Sequence, residues 1–341
     1  MPEILVNGVG TIGKRVASAI QKQDDMTLKG VADVAPTAEL RTLMSGESPV
    51  ETDLYASTRD GKEELEDAGF EVEAVLEDVI EEVDLVVDAT PSGVDEKNRE
   101  NLYRPHDVKA IFQGGADPSI APVQFNANAN YDEARGEQFV QVVSCNTTSL
   151  CRTLHAVDEE FGVEQVTANL VRRGGDPKQD SRGPINSIIP VSEVPSHHGL
   201  DVQEVMPDLD ITTLAVKVPT TLSHVHMVNV DLEEGVTEEE ARRLFEDTER
   251  VTLESAGEGY SSTAKIIEKM RDLEKPRYDM HPAAVWEETI TVQDGTLYWV
   301  HMVHQESIVV PDNIDAIRSM LEMAEKEESM EKTNDALGIG W

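Results

Sequence analysis

Three glycines near the start constrain this chain more than any other feature. Gly8, Gly10 and Gly13 follow the apolar run EILVN and open a helix-like stretch expected from about Ile12 to Gln23. In that context the GxGxxG spacing is a dinucleotide-binding fingerprint. The first glycine permits a tight turn, the second lets backbone approach a pyrophosphate, and the third lets a helix pack on its strand. The helix N-terminus then faces the phosphates. Asp33 ends the next apolar run, where an acid about 20 residues on would accept hydrogen bonds from a ribose 2′-hydroxyl.

The runs that follow have the same alternating order. EILVNGVG, LKGVADVA, DLVVDATPSG, KAIFQGG and FVQVVSC are short and apolar, with helix-like stretches between them, one near Ala38 to Leu43. That order predicts an α/β fold with a Rossmann-type parallel sheet. Beyond Cys145 the runs lengthen and alternate, as in VTANLVRR, TTLAVKVPT, SHVHMVNVDL and ETITVQDGTLYWVHMVHQ. These predict an α+β domain on a largely antiparallel or mixed sheet. At 341 residues, two domains are expected at roughly 150 residues each, meeting near residue 140. The tail from Pro311 reads as one helix, with Ile314, Ile317 and Leu321 on one face and Gly338 past its end.

Charge narrows the partners. The chain carries 29 basic and 67 acidic residues, a formal net charge of −38, which repels phosphate backbones and anionic lipid surfaces. Neither nucleic acid nor membrane is expected as a partner. The start, MPEILVNGVG, has no signal-peptide pattern, and no apolar run approaches the roughly 18 residues of a membrane span. A cytoplasmic protein is expected. Its acids interleave with apolar residues, so they belong to a folded surface rather than to disorder, and such a surface suits the short screening length of concentrated salt.

Only two cysteines are present. Cys145 follows an apolar run and precedes NTTSLCRTL, a helix entered through hydroxylated residues. A thiol there has its thiolate stabilised by unpaired amides, yet buried, inert cysteine is the commoner fate. Cys151, further along the same helix, reads as core. Nine histidines offer many bases. His224 and His226 share one strand face, but neither C-x-x-C nor H-E-x-x-H occurs, so no metal is expected. Arg172 and Arg173 end a strand before two glycines. They suit either a phosphate gripped by a guanidinium fork or ion pairs with neighbouring acids.

Taken together, NGVGTIGKRVA, DATPSG, AIFQGG, VVSCNTTSLCRTL, VRRGGDP, GPINSIIP, PSHHG, VPTTLSHVH and MVHQES resemble the archaeal, type II branch of glyceraldehyde-3-phosphate dehydrogenase. SCNTTSLCRTL and PSHHG are specific to that branch. The resemblance implies a Rossmann domain of residues 1–140 and 305–341, completed by the C-terminal helix, and a catalytic domain of residues 141–304. It makes Cys145 the nucleophile, His224 the base that activates it, and Ser144 and Asn146 substrate-binding neighbours. Thr11, Ile12 and Gly114 would contact the cofactor along with the glycine loop, as would Arg173 and Gln305. Arg172, His198 and Gly199 would border the substrate.

The implied reaction is phosphorylating oxidation of glyceraldehyde 3-phosphate, with inorganic phosphate as co-substrate, in a homotetramer. Aspartate-semialdehyde and N-acetylglutamyl-phosphate reductases share the plan and the cysteine, but the two specific motifs separate them. A non-catalytic, dinucleotide-sensing regulator would lack the nucleophile or the base. Many archaeal relatives carry a lysine in a segment like SKT after the second strand, whereas here VADVAPT places Asp33. A carboxylate repels the 2′-phosphate of NADP, so NAD is the expected cofactor and NADP the alternative.

Overall fold

Strands β1 (Glu3–Asn7), β2 (Thr27–Asp33), β3 (Asp53–Ala56), β4 (Leu85–Asp88), β5 (Lys109–Gln113), β6 (Val123–Phe125) and β7 (Phe139–Val142) form one sheet in the order β3-β2-β1-β4-β5-β7-β6. Every pairing is parallel. Crossover helices cover parallel strands on both faces, which is why Ile4, Leu5, Val6, Val86, Val87 and Ile111 are all fully buried. Strand order reverses between β1 and β4, and in such sheets the crevice beyond the carboxyl ends at that reversal takes the ligand. The short segments of β3 and β6 show no readable period, and pairing with β2 and β7 makes them strands. The computed structural model describes residues 1–181, 183–233 and 235–340.

The chain divides into two compact units, Met1–Ser144 with Val309–Trp341, and Cys145–Ile308. The expected boundary at 140 falls inside β7, so the division comes where that strand has ended. The tail also differs from the expected single amphipathic helix. It forms two, Val310–Met320 and Lys326–Leu337, with Glu322 between them at φ 53°. The first is buried along its whole length. Its Asp312 Oδ1 accepts from Asn126 Nδ2 at 3.1 Å and from the Ala127 N–H at 3.0 Å, and its Arg318 donates to both oxygens of Asp25. Leu321 follows that helix and is partly exposed.

The second unit holds β8 (Val163–Arg173), β9 (Ile189–Pro190), β10 (Ile211–Val218), β11 (His224–Leu232), β12 (Val251–Glu254), β13 (Ala283–Trp286), β14 (Thr291–Gln293) and β15 (Thr296–Val303). Their order is β12-β13-β15-β11-β8-β10-β9, with β14 paired to β15. The sheet is mixed: β8 runs parallel to β10 and antiparallel to β11. The long run from ETITV to VHMVHQ is a hairpin, turned at Asp294 and Gly295, both at positive φ, the turn that Asp-Gly favours. Burial alternates along β11, so His224, His226, Val228 and Val230 share the covered face. Among the described residues no helix is long and apolar enough to cross a membrane.

Candidate active site

The three loop glycines differ in what they do. Gly8 has φ +99°, and a Cβ on it would meet the Ala89 carbonyl oxygen at 2.8 Å. At Gly13 a Cβ would lie 1.9 Å from the Gly8 carbonyl oxygen, so this glycine lets the Gly13–Ile20 helix pack on its own loop. A Cβ on Gly10 would meet nothing within 4 Å. The protein leaves that space open, which fits a pyrophosphate approaching backbone. Ile12 caps the helix and the Thr11 carbonyl accepts from Arg15 Nη1 at 2.8 Å.

Asp33 ties this loop to β2: its Oδ2 accepts the Val9 N–H at 2.9 Å and its Oδ1 the Val34 N–H at 2.7 Å. The residues therefore fit a dinucleotide. Gly114 has a second constraint, since a Cβ there would lie 2.2 Å from the Ser144 nitrogen. Its lack of a side chain lets the end of β5 meet the backbone leading to Cys145. Ser144 is half-buried.

In the second unit Cys145 is the first residue of the Cys145–Phe161 helix, half-buried, with Sγ 3.6 Å from His224 Nε2. The thiol was expected to be lowered by its helix terminus. Burial pushes it up instead, opposed by the charges of Arg173 and Arg172 and by the Asn146 amide. Cys151 is fully buried in the core.

His224 begins β11 and is almost fully buried. Burial first, then the charges of Arg173 and Arg172, hold its imidazole well below the usual range, so it is neutral. The Arg173 backbone N–H donates to its Nδ1 at 3.0 Å. Nδ1 is therefore the bare nitrogen, and the ring's single proton lies on Nε2, facing the sulfur. An Nε2 that carries the proton donates to sulfur, where a base receiving the thiol's proton was expected.

The two arginines at the end of β8 divide the open alternatives between them. Arg173 Nη2 pairs with Asp176 Oδ1 at 2.8 Å, the ion-pair alternative, where a cofactor contact was expected. Arg172 is half-buried and has no ion-pair partner among the described residues. Burial, foremost, pushes its guanidinium down, a cost that the charges of Cys145 and Asp201 oppose. That cost is offset when an anion binds. Arg172 also acts on Cys145, His198 and Asp201, which places its charge at the same site.

His198 is 2 % exposed, neither ring nitrogen has a hydrogen-bond partner among the described residues, and burial followed by Arg172 lowers it to about 3. With His197 and Asp201 it forms a group whose ligating atoms lie within 4.8 Å of one another, close enough for a metal. The charges of Arg172 and Lys217 on His198 oppose a cation there and favour an anion. The Gly199 N–H is committed to Thr213 Oγ1 at 3.0 Å; this glycine packs its helix on β10. Gln305 is also anchored, accepting the Ser223 N–H at 2.7 Å and donating to Asp176 Oδ1 at 3.4 Å.

Sequence reasoning missed His301, Trp299 and Ser149 near this centre. His301 lies opposite His226 across the β11–β15 pairing, and Ser149 Oγ is 3.2 Å from His226 Nδ1. The spacing of Trp299 and His301, two apart on a covered strand face, was the available signal.

Comparisons with known proteins point to one family. Residues 144–272 match the family model for the C-terminal domain of glyceraldehyde 3-phosphate dehydrogenase. The glyceraldehyde-3-phosphate dehydrogenase of Pyrococcus abyssi is 51% identical over 98% of this chain and 98% of its own. That of Methanopyrus kandleri is 49% identical over 98% and 97%, and that of Methanobacterium bryantii 46% over 99% and 100%. Identity at this level along both whole chains carries one conclusion: the chain belongs to the glyceraldehyde-3-phosphate dehydrogenase family.

Proposed function

We propose that the protein interconverts glyceraldehyde 3-phosphate and 1,3-bisphosphoglycerate through a thioester on Cys145, in sugar breakdown and synthesis. One observation carries this reading: the Cys145–His224 contact lies under the charges of Arg173 and Arg172, and Arg172 has no ion pair among the described residues. Arg172 and His198 hold the substrate phosphate, with Ser144, Asn146 and Gly199 around the aldehyde. Gly8, Gly10, Thr11, Ile12, Gly13, Asp33 and Gly114 hold the dinucleotide, with Arg173 and Gln305 shaping its nicotinamide end.

The Cys145 thiol gives up its proton to solvent water, and its thiolate accepts the Nε2–H of His224. Sulfur adds to the aldehyde carbon, and the carbonyl oxygen becomes an alkoxide that His224 Nε2–H stabilises. When bound, the nicotinamide dinucleotide supplies the acceptor for the hydride that leaves this carbon. The alkoxide collapses to a thioester, and no proton has to be removed at this stage. Inorganic phosphate then takes the acyl group and returns Cys145 as thiolate.

NAD is the preferred cofactor. A carboxylate at Asp33 accepts from ribose hydroxyls but opposes a 2′-phosphate. Lys29, the nearest candidate to offset it, is committed to Glu82 at 2.9 Å. We further read the chain as a cytoplasmic homotetramer of a salt-loving organism, on its net charge of −38 and the family it belongs to. The test is turnover of the purified protein with glyceraldehyde 3-phosphate and phosphate in high salt, with NAD and NADP in parallel. Reduction of NAD is expected, fading on dilution into low salt. No reduction of either cofactor overturns the assignment.

A further inference from the structure

Four buried side chains form a line that ends beside the nucleophile. The Trp299 indole Nε1–H donates to His301 Nδ1 at 3.0 Å, His301 Nε2 is 3.1 Å from His226 Nδ1, and His226 Nε2 is 3.0 Å from Asn146 Oδ1. None of the four is more than 2 % exposed.

The direction of every bond in this line is decided at Trp299. An indole N–H donates and never accepts, so His301 Nδ1 carries no proton. Burial lowers His301 to about 3 and, with His301 and His224, holds His226 well below the usual range. Each ring is neutral and has one proton. That of His301 must lie on Nε2, which donates to His226 Nδ1; that of His226 must therefore also lie on Nε2, which donates to Asn146. The Ser149 hydroxyl, 3.2 Å from His226 Nδ1 and 2.9 Å from the Asn146 carbonyl oxygen, donates to either and changes nothing in this order. The Asn146 amide is left with Oδ1 held, and its two N–H groups have no acceptor among the described residues.

We propose that Trp299, His301 and His226 are positioning residues whose one-way hydrogen-bond relay fixes the Asn146 amide, so that Nδ2 donates to the oxygen of the aldehyde attached to Cys145. The proposal rests on the reading of Cys145 as nucleophile. Together with His224 Nε2–H, it lines the reacting oxygen with donors only. Reversal of the relay would turn Asn146 over and put an acceptor in that place, which a developing alkoxide would find repulsive.

The test has two readouts. Nitrogen-15 histidine spectra of the whole protein report tautomers independently of turnover: His226 and His301 are expected as Nε2–H, and an Nδ1–H form of either overturns the relay. Trp299→Phe keeps a ring in the core but removes the donor. It is expected to leave the thermal midpoint within a few degrees, to give His301 mixed tautomers, and to lower kcat about tenfold with KM for the aldehyde unchanged. Should Trp299→Phe disturb folding, the pair His226→Gln and His226→Ala replaces it. Glutamine restores a donor to Asn146 and should hold kcat within about tenfold of the parent, whereas alanine should lose about 10²-fold. Altered tautomers with unchanged kcat would overturn the positioning role. If the parent protein failed to turn over the substrate, the spectra would still decide the relay, so the two readings fail separately.

Discussion

The backbone N–H of Arg173 donates to Nδ1 of His224 at 3.0 Å, and this one bond settles that the nitrogen facing Cys145 carries the ring's proton. A main-chain amide cannot reverse its direction, so Nε2 approaches Cys145 as a donor. Replacing His224 by glutamine keeps an N–H donor and removes all basicity. His224→Gln should stay within about tenfold of the parent kcat, whereas His224→Ala should lose about 10²-fold. Equal losses in the two variants would restore the base.

The pH dependence of kcat/KM follows from the same pair. Burial raises the Cys145 thiol and lowers His224, and the thiolate is the reactive form. Activity should therefore rise with pH through a single ionisation above the usual thiol range, with no limb near the ordinary imidazole value. Cys145→Ser should abolish turnover, and Cys151→Ser should retain most of it. Iodoacetamide followed by peptide mapping should label Cys145 first, because Cys151 has no exposed surface. Faster labelling of Cys151 would count against Cys145 as the nucleophile.

Arg172 separates function from stability. Its half-buried charge has no ion pair among the described residues, so Arg172→Gln should leave the melting temperature unchanged or raise it. The same change should raise KM for glyceraldehyde 3-phosphate at least about tenfold, the loss of a charged hydrogen bond. KM for the dinucleotide should move little. A variant less stable than the parent, with unaltered KM, would make Arg172 a structural residue.

The glycine loop allows an internal comparison. Gly10→Ala meets no protein atom within 4 Å and should unfold at the parent temperature while binding dinucleotide at least tenfold more weakly, about 1.4 kcal/mol. Gly13→Ala drives a methyl into the Gly8 carbonyl and should cost about 3 kcal/mol of stability. Calorimetry and cofactor titration on the two proteins measure both effects.

Asp33 has a structural duty as well as a proposed binding one. Asp33→Lys should shift the kcat/KM ratio towards NADP by roughly tenfold, or about 1.4 kcal/mol. It also strips the Val9 and Val34 N–H groups of their acceptor, so a loss of about 1–2 kcal/mol in stability should accompany it. Parallel kinetics with both cofactors, alongside thermal melts, read the two effects. An unchanged ratio would leave Asp33 as a loop anchor alone.

Much of this protein was legible in one dimension because the relevant physics is local. A glycine's missing side chain, a strand's apolar period and a helix opened by hydroxylated residues are properties of neighbours in the chain. From them came the parallel sheet, the dinucleotide loop, Cys145 at a helix start, and His224 and His226 on one strand face. Segments such as Asp53–Ala56 were not legible, being too short to show a period before β2 pairs with them. The tail was misread as amphipathic because the polar residues of Val310–Met320, among them Asp312 and Arg318, are buried against partners far away in the chain.

What only the tertiary structure decided is the direction of the hydrogen bonds at the centre. Arg172 and Arg173 are adjacent and alike in sequence, yet one pairs with Asp176 and the other has no ion pair among the described residues. His224, His226 and His301 are chemically the same residue, and each owes its proton's position to a partner 51, 75 or 2 positions away. A sequence specifies which groups exist and which face of a strand they take. Which nitrogen carries a proton depends on donors delivered by other strands, and only the folded register of β8, β11 and β15 brings them into place.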